Sequence, residues 1–198
     1  MRIVLASGSP RRRKLIKLLG LPYRIEIPKI DEKITGTPES IVISLARKKA
    51  MAVNYGEEEI IVAADTVVSI ENKVLGKPDN FEEAYDILKL LSGNWHQVYT
   101  GVFVITNFES FGFFEKTYVK FRDIPDEFIR YYIASGNPFD KAGGYGIQEV
   151  GGLFVEKIVG DYYNVVGLPI SRLWFELYSR GYIRYDGGAT RKTFESRS

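Results

Sequence analysis

Cysteine is absent from these 198 residues, which excludes disulfides and thiolate metal sites and fits a reducing compartment. Histidine occurs once, as His96, so a histidine-rich zinc site is excluded as well. Charge of one sign is scarce: 27 basic residues against 25 acidic ones leave a formal +2, and any anion site must therefore be local. That balance, with no long basic and aromatic stripe, argues against a nucleic-acid-binding module. No segment approaches the roughly 18 uninterrupted apolar residues of a membrane helix. The apolar run 15–19 follows Arg11, Arg12, Arg13 and Lys14 as a signal peptide would, but Lys17 breaks it and no small-residue cleavage site follows. A cytoplasmic protein is expected. Neither a Gly-x-x-x-x-Gly-Lys-Ser/Thr loop nor a Gly-x-Gly-x-x-Gly after a strand is present, and no Ser/His/Asp arrangement has supporting context.

What is present reads as an ordinary globular chain, 45% hydrophobic and 26% charged, long enough for one domain or two small lobes sharing a cleft. Residues 2–6 form a short apolar run, a buried strand, punctuated by Ser7-Gly8-Ser9-Pro10. Ser9 suits an N-cap and Pro10 the first helical position, which predicts a helix to Leu19 that stops at Gly20. A second helix is predicted from Pro38 to Tyr55 with Thr37 as cap, and the β-branched run 60–70 predicts a central strand. A third helix begins at Asn80, with Glu83 completing a capping-box-like pattern, and closes at Gly93. Residues 98–122 read as a hairpin turning near 107–112, and 125–135 as a short helix. A glycine-rich loop over 140–148 follows, then two strands flanking Gly160-Asp161 and a last helix over 169–180. Strands alternating with helices, then a run of strands, predict a mixed α/β sheet. The polar tail 185–198 is expected to be mobile.

Three features carry chemistry. Cations beside a helix start oppose the helix dipole, yet Arg11, Arg12, Arg13 and Lys14 stand there directly after the strand and turn. One reading is a solvated basic face; the other is a phosphate site built from backbone N–H groups, Ser7, Ser9 and guanidinium forks. Asp65 interrupts an apolar strand, so it lies at the exposed strand end, caps backbone amides, or has a partner such as a lysine or a metal ion. Asp31 and Glu32 offer hard oxygen ligands of the kind that Mg²⁺ or Mn²⁺ prefers, although such a pair is often plain surface charge. Lys49 on the second helix is a weak signal by itself, whereas Lys77 between Gly76 and Pro78 is held in an extended loop and reads as a positioned charge. His96 reads as a satisfied core or loop histidine.

Ser7-Gly8-Ser9-Pro10-Arg11-Arg12, Ala64-Asp65-Thr66, Gly76-Lys77-Pro78, Ser92-Gly93 with His96 and Thr100-Gly101, Asp140-Lys141-Ala142-Gly143 with Tyr145-Gly146-Ile147-Gln148, and Gly160-Asp161-Tyr162-Tyr163 with Gly167-Leu168-Pro169 resemble the Maf family in order and spacing. The likeness spans residues 2 to about 181. It implies an inosine triphosphatase-like fold: a mixed twisted sheet with flanking helices, in two lobes around a central cleft, with residues 1–184 as one domain. It implies a homodimer, and hydrolysis of nucleoside triphosphates between the α and β phosphates. Asp65 matches the family's general base, and Arg11, Thr66 and Gln148 match its specificity positions. The intact loop ending in Gln148 resembles the branch acting on dTTP and UTP, with modified pyrimidine nucleotides as further substrates.

The residues fit that expectation. A triphosphate carries about four negative charges and needs several cations, which Arg11, Arg12, Lys49, Lys77 and a divalent metal on Glu32 and Asp65 would supply. Asp65 could take a proton from the attacking water or hold the metal that acidifies it, two roles that compete for one carboxylate. The Gln148 amide, one donor and one acceptor, complements the N3–H and O4 edge of uracil or thymine. Two rival readings are a 7-methyl-GTP pyrophosphatase, which the Gln148 loop argues against, and a non-catalytic nucleotide-binding regulator of septum formation. The second would tolerate loss of Asp65 or Lys77, and both are present.

Overall fold

The structure is a computed structural model that describes residues 1–71, 73–136 and 138–185. Seven strands form one mixed sheet: β1 (Arg2–Ala6), β2 (Tyr23–Glu26), β3 (Glu59–Ile70), β4 (Lys73–Leu75), β5 (Trp95–Ile105), β6 (Ser110–Phe121) and β7 (Val155–Val159). Their order is β2-β1-β3-β5-β6-β7, with β4 paired to β3. Around them lie α1 (Pro10–Ile16), α2 (Pro38–Met51), α3 (Phe81–Leu91), α4 (Asp126–Ala134), α5 (Tyr162–Val166) and α6 (Ile170–Ser179). The expected α/β class with a mixed sheet and flanking helices is what the chain adopts.

The placement of the cleft follows from the sheet register. β5 covers one side of β3 from Ile61 to Ser69. On the other side β1 runs parallel to residues 59–63 and β4 antiparallel to 68–70, which leaves residues 64–67 without a strand neighbour. The gap opens beyond the carboxyl end of β1, where the pairing changes from parallel to antiparallel, the kind of position where α/β sheets hold ligands. β1 and the first half of β3 are buried on both faces, as parallel strands are, and their continuous apolar runs reflect it.

Alternate residues of β3 serve the two faces of the sheet. Ile61 and Ala63 pack with Val4, Ala50 and Val53, and Val67 with Val42 and Leu45 of α2. Ile60, Val62 and Ala64 pack on the other face with α1 and α6, and Val68 and Ile70 with α3 and α4. Gly101, the β5 residue paired with Asp65, has no room for a side chain: a Cβ there would lie 2.5 Å from the backbone of Val42. This close approach seats α2 on the sheet and brings Lys49, two turns further along, over Asp65.

Several element ends differ from expectation. The first helix relaxes into a 3₁₀ turn over Lys17–Leu19 before Gly20 adopts the left-handed conformation. α2 ends at Met51, not Tyr55, and the short β2 and β4 add two strands too brief for a periodic signal. Only one strand, β7, adjoins Gly160-Asp161. The residues after it form α5, because Asp161 caps it by accepting from the Tyr163 N–H at 2.8 Å. Glu83 accepts from the Asp79 N–H, so the reciprocal bond of a capping box to Asn80 is replaced by one a residue earlier. Apart from Tyr185, whose hydroxyl donates to the Leu19 carbonyl at 3.1 Å, the tail expected to be mobile lies outside the described residues.

Candidate active site

β1 delivers the chain to the cleft at Ser7. Its side chain is buried and its Oγ accepts from the Ser9 N–H at 3.1 Å, which fixes the turn and leaves Ser9 to cap α1. From α1, Arg11 and Arg12 diverge. Arg12 is drawn inward, its Nε donating to the Gly167 carbonyl at 2.7 Å and Nη2 to Thr66 Oγ1 at 2.9 Å. Burial pulls its guanidinium below the ordinary value, against the opposing field of Asp65. Arg11 reaches across the mouth, 3.3 Å from Asp140 and 3.6 Å from Glu149.

Asp65 has a lysine partner. Lys49 Nζ donates to Asp65 Oδ1 at 2.5 Å and lies 2.7 Å from Glu32 Oε1, so one ammonium bridges two carboxylates. Lys49 and Asp65 are buried, whereas Glu32 is half exposed and also faces Lys77 at 3.9 Å. Burial pushes the Glu32 carboxyl up, but the ion pair with Lys49, with Lys77 and Arg12 behind it, outweighs that and leaves it below its ordinary value. Ser9, Arg11, Arg12, Glu32, Lys49, Asp65, Thr66 and Lys77 all line one cleft. Two candidates do not join the lining: Ser7 sits beneath the turn, and Gln148 is exposed on the loop beside it.

That loop contributes more than the sequence disclosed. Lys141, nearly buried, lies 2.6 Å from Asp140 and 3.0 Å from Glu149, so Arg11 and Lys141 share the same two acids. Burial raises the Asp140 carboxyl, yet Lys141 and Arg11 together hold it below its ordinary range. Gly143 adopts φ of 68°, its N–H bonds the Gly76 carbonyl, and a Cβ there would meet Val68 at 2.8 Å. The loop is thereby pinned to the segment that carries Lys77. His96 is fully buried, its Nε2 is 2.8 Å from the Tyr145 hydroxyl, and burial holds it down to about 3, so it stays neutral. It supports Tyr145, which lines the cleft. The pairing of Arg11 with Asp140 and Glu149 spans more than a hundred residues and leaves no local signal to read.

Among the described residues, no group of three or more His, Cys, Asp or Glu side chains converges to hold a metal. Glu32 and Asp65 are nonetheless hard oxygen donors gathered on one ammonium. Such a pair fits Mg²⁺ or Mn²⁺, which usually takes one or two carboxylates and completes its shell with phosphate oxygens and water.

The model of a Maf-like protein matches residues 2–179 of this chain. A dTTP/UTP pyrophosphatase of Thermosipho melanesiensis is 52% identical over 181 residues, 91% of this chain and 98% of that protein. A dTTP/UTP pyrophosphatase of Bacillus cereus is 50% identical over 179 residues, 89% of this chain and 94% of that protein. Among solved structures, the Ham1 protein of Staphylococcus aureus matches 62% of this chain and 73% of its own with a TM-score of 0.44 at 17% identity, too slight to bear on fold or function.

Proposed function

The chain belongs to the Maf family, and we propose that it is a nucleoside triphosphate pyrophosphatase that hydrolyses dTTP and UTP to the monophosphate and pyrophosphate. The observation that carries this reading is the Lys49 ammonium between Asp65 and Glu32, in a cleft shared with Arg11, Arg12 and Lys77. The names of the two relatives support the dTTP and UTP branch over one acting on 7-methyl-GTP.

The charge of the cleft supports a metal. Five cations line it (Arg11, Arg12, Lys49, Lys77 and Lys141) against three lining acids (Glu32, Asp65 and Asp140), and Glu149, paired with Arg11 and Lys141, is a fourth, which leaves one positive charge. A triphosphate with about four negative charges exceeds what the cleft's own cations offset, a load that a divalent ion would lighten. Glu32 and Asp65 would hold Mg²⁺ or Mn²⁺, which when bound would neutralise phosphate charge and make the attacking water more acidic. Asp65, aimed by the Lys49 ammonium at 2.5 Å, accepts the proton of the water that attacks the α-phosphorus. Lys77 and Arg11 face the polyphosphate, and their cations offset the charge that builds on the leaving pyrophosphate. Gln148, at the exposed side of the loop, offers its amide to the pyrimidine N3–H and O4 edge.

The test is to incubate the protein with UTP, dTTP and a panel of other triphosphates and Mg²⁺ or Mn²⁺. Pyrophosphate and the monophosphate should accumulate with UTP and dTTP; orthophosphate alone would sink the reading. We also propose residues 1–184 as one two-lobed domain that acts as a homodimer in the cytoplasm. Among the described residues no helix is long and apolar enough to cross a membrane. A monomer by light scattering at micromolar concentration would refute the dimer.

A further inference from the structure

Thr100 stands on β5 directly opposite Thr66 of β3 and has no exposed surface. Its Oγ1 lies 2.9 Å from Oγ1 of Thr66 and 3.0 Å from the main-chain carbonyl oxygen of Asn164. These two contacts fix the direction of every proton in the chain. A carbonyl can only accept, and a hydroxyl has a single proton. The Thr100 proton is therefore committed to Asn164, since two lone pairs facing each other at that distance would repel. Thr100 has only lone pairs left for Thr66, and the proton between the two hydroxyls must come from Thr66.

With its proton turned inward, Thr66 Oγ1 accepts a bond from Arg12 Nη2 and keeps one lone pair for the cleft it lines. The carbonyl that sets this polarity is itself held. Asn164 is fully buried, and its Nδ2 donates to the Val98 carbonyl at 2.9 Å and to Thr117 Oγ1 at 3.0 Å, which ties α5 to β5 and β6. Phosphate oxygens are acceptors and gain nothing from that lone pair. Within a nucleotide, only an N–H or O–H donor can use it.

We propose that Thr100 is a positioning residue: by taking the Thr66 proton it makes Thr66 an obligate acceptor for a donor on the nucleoside, and so sets nucleoside selection without touching the ligand. The inference rests on the nucleotide reading above. One donor of the right chemistry is a ribose hydroxyl, and another is the imide N3–H of uracil or thymine, which cytosine replaces by an acceptor; an imide bound here would leave Gln148 only the O4 side of the base.

Calorimetric binding of the α,β-methylene analogues of UTP, CTP and 3′-deoxy-UTP tests it without requiring turnover. The wild type should bind the UTP analogue about tenfold more tightly than at least one of the other two, the worth of one hydrogen bond gained or lost. Thr100→Val, which frees the Thr66 proton to point into the cleft, should erase that preference, and Thr100→Ser should keep it. Loss of discrimination against the CTP analogue identifies the imide as the donor; loss of discrimination against the 3′-deoxy analogue identifies the sugar. A preference unchanged in Thr100→Val, or no preference in the wild type, overturns the proposal. Should Thr100→Val fail to fold, Thr66→Val removes the acceptor itself, and a preference that survives it is equally fatal. Failure to release pyrophosphate from UTP would sink the enzymatic reading alone, because the binding preferences are measured independently of it.

Discussion

Replacing Lys49 by methionine keeps most of its aliphatic length and removes the ammonium that bridges Asp65 and Glu32. The two carboxylates then lose a partner at 2.5 and 2.7 Å. Asp65 is buried, and stranding a buried charge costs about 3–5 kcal/mol. Glu32 is half exposed, and its share is small because solvent screens it. For a chain of this size that loss corresponds to a fall in Tm of roughly 6–20 °C.

The pH dependence gives the experiment its discrimination. The Glu32 carboxyl is depressed in the folded protein, and Lys49 is the chief partner that depresses it. Its contribution to stability is thus present above the ordinary value of 4.5 and lost as pH falls through the folded value. In Lys49→Met most of that contribution is gone, leaving Glu32 with Lys77 at 3.9 Å, and acidification relieves the stranded charge by discharging it. The gap between variant and wild type should be widest at pH 8 and narrow below about pH 4.5. Adding Asp65→Asn to Lys49→Met removes the stranded charge, so the double variant should be more stable than Lys49→Met alone. Thermal melts of the three proteins at pH 8 and pH 4 decide the matter. Equal gaps at both pH values, or a double variant no more stable than the single one, would refute the account of the bridge.

Asp65→Asn alone should cut pyrophosphate release from UTP by orders of magnitude while the circular dichroism spectrum stays native; unchanged turnover would remove Asp65 from the mechanism. Gln148→Ala should blur the preference among bases more than it slows UTP, and a uniform loss across all bases would argue that the exposed amide does not read the base. His96 refuses the proton that the unfolded chain binds, so wild-type stability should fall as pH drops from 6.5 towards 3, by at most about 1.4 kcal/mol per pH unit. His96→Leu should lack that component in urea titrations, and parallel acid curves would contradict the buried neutral histidine. Glu149→Gln removes one acid that holds Arg11, and should tighten binding of the α,β-methylene analogue of UTP by up to about fivefold at low salt; weaker binding would place Glu149 on the ligand side of the site.

Much of this arrangement was legible in the chain. The β1 to α1 transition announced itself through Ser9 and Pro10 at a helix start, and Asp65 through its intrusion into an apolar strand, which left an exposed strand end, an amide cap or a partner such as a lysine or metal ion as its readings. That the partner is Lys49 was not readable, because a lysine on a helix carries no local sign of burial. Its depth depends on Gly101, which lets the α2 backbone settle on the sheet opposite Asp65. The supposed strand after Asp161 is a helix for a local reason: the Asp161 cap outweighs the β-propensity of Tyr162, Tyr163 and Val165. Hydrogen-bond polarity through Thr100 and Asn164 lies further still from sequence, since three residues from β3, β5 and α5 meet only in the fold.

The cleft is not a bare positive socket waiting for phosphates. Arg11, Lys49, Lys77 and Lys141 each face an acid within 4 Å before any ligand arrives, so substrate binding must be an exchange of partners. The two ends differ in what the exchange costs. Lys49 is buried and Arg12 partly so, with short bonds to Asp65, Thr66 and Gly167, and moving them would strand polar groups away from water. Arg11 and Lys77 pair with acids that are a third exposed or more, at 3.3 to 3.9 Å, where an ion pair is worth about 0–1 kcal/mol. These two cations can therefore leave their acids for a polyphosphate at little cost, while Arg12 and Lys49 keep Thr66 and Asp65 aimed. Division of the cations into a fixed frame and a releasable rim lets one small cleft hold a triphosphate tightly enough to react and still let pyrophosphate go.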